Sequence, residues 1–196
     1  MDVAIALVVA YLLGTIPTAV VVSRIATKGA VDIRNVGSGN PGAMNTLQQL
    51  GTKWGAIVLL GDLGKAVAAC VIARAIAGPD TASYAGSAAV IGHCFPVWSR
   101  FKGGKGIASA GGQCLATFPV YAPIALAVTV LTSRRRFEAQ ATAAAYFTAA
   151  VWVTGAVIWT VFDLPNLWGI EPGAALIGGG VISGLVIAYK FVSASR

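Results

Sequence analysis

Apolar residues in this chain fall into long blocks separated by short polar stretches, at residues 3–22, 54–77, 84–98, 107–132, 139–161 and 174–189. The longer blocks reach the roughly 20 helical residues needed to cross a hydrocarbon core of about 30 Å, which predicts membrane-spanning helices. The second block is interrupted by Gly61-Asp62-Leu63-Gly64-Lys65, which puts two ionisable residues inside a span. Gly78-Pro79-Asp80 reads as the turn that stops it, and the third block, short for a full crossing, carries His93 and Pro96 near its end. The fourth holds Gly111, Gly112, Pro119 and Pro123, so its pattern fits either one kinked span or two half-length helices.

Composition strengthens the membrane reading. Of 196 residues 57% are hydrophobic and 11% charged, against roughly a quarter charged in a soluble domain, so a water-facing surface cannot be built from them. Residues 1–196 read as a single membrane-embedded domain. The first block follows Met1-Asp2 without the basic region of a secretory signal and reads as a retained helix. The net charge of +7 resides in short loops between apolar blocks, which points to orientation and anionic ligands rather than nucleic acid. Cys70, Cys94 and Cys114 show no CxxC spacing and His93 is the one histidine, so neither a disulfide frame nor a metal site is indicated, and no cofactor is implied.

Charge placement settles the ambiguous block. Arg24, Lys28, Arg34 and Lys53 share one loop, Arg100, Lys102 and Lys105 another, Arg134 to Arg136 a third, and Lys190 and Arg196 the tail. Residues 78–83 and 162–173 carry no Lys or Arg. Basic loops stay in the cytoplasm, so residues 107–132 must enter and return, as a hairpin broken near Pro119 to Pro123. Half-segments of about 12 residues rise only about 18 Å and need shelter from neighbouring helices. The expectation is an all-α bundle of about seven transmembrane helices with its N-terminus outside.

Three polar segments converge on the cytoplasmic face of that bundle. Asp32 to Asn45 sets Arg34, Asn35, Ser38 and Asn40 among Gly37, Gly39 and Gly42, a loop expected to aim backbone N–H groups at an anion. Its formal G-x-G-x-x-G spacing lacks the strand and βαβ unit of a dinucleotide site. Asp62 and Lys65 stand three apart, on one helix face, where they can pair; such buried charges fix packing or touch ligand. The run from Gly92 to Gly106 closes with Lys102 and Lys105 around Gly103 and Gly104, a phosphate-holding pattern. Ser99 and Gly106 stand where a P-loop needs glycine and Ser/Thr, so nucleotide hydrolysis is not implied. His93 is either a general base or a structural hydrogen-bonding group.

At these three segments the chain resembles the bacterial acyl-phosphate:glycerol-3-phosphate acyltransferases, over about residues 10–135. It is similar to that family in the Asp-Ile-Arg and Gly-Ser-Gly-Asn loop at 32–45, the Gly-Asp-x-x-Lys helix at 61–65, and the Gly-His-x-Phe-Pro and Phe-Lys-Gly-Gly-Lys-Gly run at 92–106. The resemblance implies seven membrane helices, an outside N-terminus, and transfer of a fatty acyl group from acyl-phosphate to the 1-hydroxyl of glycerol 3-phosphate, without coenzyme A. The chain departs from the family at Met44, usually threonine, at Gln48, usually arginine, and in its tail, which lacks the family's histidine and asparagine.

The resulting expectation is an inner-membrane, multi-pass acyltransferase of phospholipid synthesis. Ser38 and Lys105 are its catalytic candidates. Gly37, Gly39, Asn40, Gly42, Asn45, Lys102, Gly103, Gly104 and Gly106 are assigned to substrate phosphate, and Arg34, Asp62, Lys65 and His93 to support. Acyl-phosphate, glycerol 3-phosphate and membrane lipid are the partners, with no nucleic acid and no obligate protein partner. The rival readings are a non-catalytic binder of phosphorylated lipid, motivated by Met44, Gln48 and the tail, and an organic-phosphate transporter, ranked last for want of an internal repeat.

Overall fold

The computed structural model describes the backbone of residues 1–133 and 138–194 and the side chains of 1–127 and 145–193; Arg134 to Arg136 and Arg196, part of the charge argument, lie outside the described residues. The described chain is helical, without a strand: α1 (Asp2–Gly14), α2 (Thr18–Ala26), α3 (Ala43–Leu50), α4 (Thr52–Ala77), α5 (Pro79–Cys94), α6 (Ile107–Thr117), α7 (Ala122–Ser133), α8 (Glu138–Val161) and α9 (Ala174–Ala194). Asp2–Ala26, taken across its break, Thr52–Ala77 and Ala174–Ser193 are long and apolar enough to cross a membrane, and Ala145–Val161 is a shorter apolar helix.

Several boundaries differ from the sequence expectation for local reasons. The first block is two helices, because Pro17 lacks an N–H and its ring would clash with a carbonyl one turn earlier. The second keeps its expected helix through Gly61 to Lys65: α4 is continuous there, since two glycines cost about 1 kcal/mol each, and tertiary packing outweighs that. The third begins at Pro79, well placed in a first turn, and ends at Cys94, before Pro96. Residues 107–132 do form two helices, parted at Phe118 to Tyr121. The short helix α3 had no counterpart in the sequence reading.

Helix α5 is the central pillar, packed against α1, α4, α6 and α9. Lipid tails are as apolar as leucine, so helices in a membrane associate through close packing and hydrogen bonds rather than hydrophobic exclusion. The face that α5 buries is accordingly small: Ala82, Ala85, Gly86, Ala89 and Gly92. A methyl group on Gly92 would collide with the Tyr11 carbonyl, and one on Gly14 with that of Ala89, so both positions require glycine at the α1 crossing. Deeper in the bundle, Gln113 of α6 donates to the Ser83 carbonyl at 3.0 Å and to Ser87 at 3.1 Å, and accepts from Ser183 of α9 at 2.6 Å. Outward-facing Leu60, Val71, Leu126, Phe147 and Leu185 are 58 to 66% exposed, a surface suited to lipid.

The two ends of the bundle differ. At one, Arg74 donates to the Trp168 carbonyl at 3.1 Å, Trp168 to that of Leu115, and Asn166 to that of Thr117, which ties residues 162–173 over α4 and α6. At the other lie the loops 27–42 and 95–106 and the last turns of α9, where the three motifs meet.

Candidate active site

The loop 31–42 is shaped by Asn45. This side chain, 2% exposed at the start of α3, donates to the carbonyls of Ile33 and Val36 at 3.1 and 3.0 Å and accepts from the Ser38 N–H at 3.1 Å. It therefore braces the loop from below and does not face the cavity to which the sequence assigned it. Gly37 and Gly39 adopt positive φ, and a Cβ on Gly37 would strike the Asn45 amide. Gly42 caps α3 in an extended conformation.

The expected backbone anion cradle is not formed. The N–H of Ser38 is bonded to Asn45, that of Gly39 donates to Val36, and that of Asn40 reaches the Ser38 hydroxyl at 3.4 Å. What this loop offers a ligand is the side chains of Ser38, Asn40 and Arg34, three of the residues that line the cavity. Arg34 is bound to Asp32 through Nε at 2.9 Å and Nη2 at 2.6 Å. This hydrogen bonding holds the Asp32 carboxyl well below the usual carboxylate range, with Arg24 adding to the effect.

The glycine pair of the third motif closes α5. Gly103 N–H donates to the Cys94 carbonyl and Gly104 N–H to that of His93, both at 3.1 Å, which satisfies carbonyls that a helix end leaves free. A side chain at either glycine would meet the His93 carbonyl or imidazole. The pair thereby fixes Lys102 and Lys105 on either side of it, and Gly106, in the left-handed region, starts α6.

Beneath this loop sits a buried ion cluster. Lys65 Nζ donates to the Ile16 carbonyl at 2.9 Å, lies 2.8 Å from Asp62 Oδ1 and 3.0 Å from His93 Nδ1, and its side chain is 5% exposed. Asp62 and Lys65 thus pair within α4, as their spacing indicated. His93 Nδ1 also stands 3.4 Å from Asp62 Oδ1, so this ring nitrogen meets both members of the pair, while Nε2 faces Gly104. A void of about 40 Å³ is lined by Asp62 and His93 together with Ser99 and Lys102.

Above it opens a cavity of about 560 Å³. Arg34, Ser38, Gly39 and Asn40 form one wall, and Lys102, Gly103 and Lys105 another. Asn35, singled out in the sequence as a polar residue of the loop but given no role, lines it too, and sequence reasoning missed Pro41, Ser99, and Lys190 and Ser193 of α9. Met44 and Gln48 lie exposed on α3 and are not among the lining residues. Among the described residues no carboxylate lines the cavity, and Lys102, Lys105 and Lys190 have no acidic partner.

A lipid-facing helical bundle with an uncompensated cationic cavity at one end defines an integral membrane protein built to hold phosphorylated ligands close to the bilayer. Comparison with known proteins agrees: a family model described as glycerol-3-phosphate acyltransferase matches residues 4–194. The chain belongs to that family. A glycerol-3-phosphate acyltransferase of Exiguobacterium sibiricum is 45% identical over 129 residues, which is 66% of this chain and 61% of that protein. One from Geobacillus kaustophilus is 38% identical over 167 residues, 83% of this chain and 80% of the relative. Among solved structures, the chain is similar to the glycerol 3-phosphate form of PlsY (YgiH), an integral membrane glycerol 3-phosphate acyltransferase. That match has a TM-score of 0.74 at 29% identity and covers 98% of this chain and 90% of the other.

Proposed function

We propose that this enzyme of the bacterial inner membrane transfers a fatty acyl group from acyl-phosphate to the 1-hydroxyl of glycerol 3-phosphate, producing 1-acylglycerol 3-phosphate and inorganic phosphate for phospholipid synthesis. The observation that carries the reading is the cavity lined by Lys102, Lys105 and Lys190, with no carboxylate to neutralise them among the described residues. Two phosphate groups, one on each substrate, meet that requirement. Uncompensated cations would be a poor choice around a neutral ligand.

In the reaction the glycerol hydroxyl oxygen attacks the acyl carbonyl carbon, and the bond from that carbon to the phosphate oxygen breaks. The hydroxyl proton passes to the departing phosphate; among the described residues the cavity lining holds no carboxylate or imidazole, and Asp62 and His93 are engaged with Lys65 beneath it. The acyl group is already activated, so positioning and charge stabilisation supply the rate. Lys105 and Lys102 neutralise phosphate charge, while Ser38 and Asn40 orient the reacting phosphate through side-chain hydrogen bonds. Gly103 and Gly104 hold the lysines, and Asp62, Lys65 and His93 support that loop from beneath.

The test is release of inorganic phosphate from palmitoyl-phosphate by purified protein, with and without glycerol 3-phosphate. Release that depends on glycerol 3-phosphate, with formation of acylglycerol phosphate, is expected. Lys105→Ala should lower kcat/KM by about 10- to 100-fold, the value of a charge-assisted hydrogen bond of roughly 1.5–3 kcal/mol. An unchanged rate in that variant would remove Lys105 from the mechanism. Glycerol 3-phosphate uptake into liposomes without ester formation would replace the enzyme with a transporter.

A further inference from the structure

The C-terminal end of α9 is the one wall of the cavity that none of the three motifs provides. Lys190, half-buried there, lines the cavity together with Ser193, three residues further along the same helix. Its Nζ lies 5.1 Å from the centre of the Phe95 ring, at the end of α5. Lys105 is held in the same way from the opposite direction, its Nζ standing 4.5 Å from the ring of Phe191, the residue next to Lys190. Each of the two lysines is therefore steadied by an aromatic ring on the other side of the junction between loop 95–106 and α9.

A ring face attracts an ammonium group yet leaves its N–H bonds free for a stronger acceptor. Two like charges held beside one cavity, with no carboxylate among its described lining, repel each other until an anion enters between them. We propose that Lys190 is a substrate-binding residue that, with Lys105, holds the phosphate of glycerol 3-phosphate; this rests on the acyl-transfer reading above. Acceptor rather than donor is the assignment because of how each substrate is retained. An acyl-phosphate is anchored by its chain in lipid as well as by its head group. Glycerol 3-phosphate has no apolar part, so its affinity must come from cations and hydrogen bonds, and two phosphates in one cavity carry more negative charge than Lys102 and Lys105 together offset. Lys190 thus supplies positive charge from a tail that lacks the family's histidine and asparagine.

The experiment measures KM for both substrates, and the Kd of glycerol 3-phosphate, on the full-length protein in detergent. Lys190→Met should raise KM and Kd for glycerol 3-phosphate about tenfold or more, the loss of one charged contact, while KM for palmitoyl-phosphate stays within about twofold. Lys190→Arg should restore most of the affinity. Lys28→Met, a charge removed from an exposed loop away from the cavity, should leave both constants unchanged and so exclude a general electrostatic effect. Lys190→Gln gives the same readout if the methionine variant fails to fold. An unaltered Kd for glycerol 3-phosphate, or a rise in the donor's KM alone, would overturn the assignment. Wild-type protein that binds glycerol 3-phosphate without turning over acyl-phosphate would refute the acyl-transfer reading and still leave the role of Lys190 to be decided by Kd.

Discussion

Single residues in this protein act mainly by filling or leaving one contact. Gly104 shows this best. Its N–H caps α5 through the His93 carbonyl, and the space where a Cβ would sit is taken by the His93 imidazole. Alanine there must push the ring off Lys65, or lift the loop that carries Lys102 and Lys105. Gly104→Ala should therefore reduce kcat/KM at least about tenfold, equivalent to about 1.4 kcal/mol of transition-state stabilisation. Gly111→Ala on α6, where a Cβ meets nothing within 4 Å, should leave it unchanged. Equal activity in the two variants would show that the imidazole contact is incidental. The sequence singled out Gly104 for its pattern with Lys102 and Lys105, but its partner is His93, eleven positions earlier, and no local pattern records that approach. Asn45 teaches the same lesson in reverse: polar, and in the right motif, it is consumed by bracing Ile33, Val36 and Ser38.

At the scale of elements, breaks and buried polar groups organise the bundle. The break at Pro17 lets the Ile16 carbonyl accept from Lys65, a residue 49 positions away. A continuous helix would have directed that carbonyl to a backbone N–H one turn on. The proline was visible in the sequence; that its break serves a lysine on α4 was not. Gln113 joins α6 to α5 and α9 through contacts with Ser83, Ser87 and Ser183. Removing its amide takes one partner each from the Ser83 carbonyl and the Ser87 and Ser183 hydroxyls, which keep bonds to one another and to the Gly179 carbonyl. Gln113→Leu should destabilise the protein by about 1–3 kcal/mol, below a simple sum because hydrogen bonds within membranes average only about 0.6 kcal/mol each. Thermal unfolding in detergent would show it as a lowered Tm with glycerol 3-phosphate binding retained at low temperature. An unchanged Tm would mean that the serines find other partners.

At the scale of the whole molecule, the distribution of charge sets the orientation. We propose that the cavity end faces the cytoplasm and that α1 with α2, α4, α5, α6, α7, α8 and α9 make seven passes, because the described basic loops gather at that end while residues 162–173 carry no Lys or Arg. Cys70, Cys94 and Cys114 are buried and form a quiet background for thiol labelling. A membrane-impermeant reagent should label Glu171→Cys in intact cells whose outer face is accessible, and Lys28→Cys only after permeabilisation. The opposite pattern would invert the topology and place the cavity outside. Hydropathy and charge belong to each residue wherever it goes, so the sequence alone determined the membrane character, the paired short helices around Pro119 and the three motif segments. Contacts between distant helices have no such local signature. Only the tertiary structure decided that backbone N–H groups of the Ser38 loop bond internally, that Lys65 joins Ile16, Asp62 and His93, and that Lys190 completes the cavity, because each depends on which faces of separate helices meet.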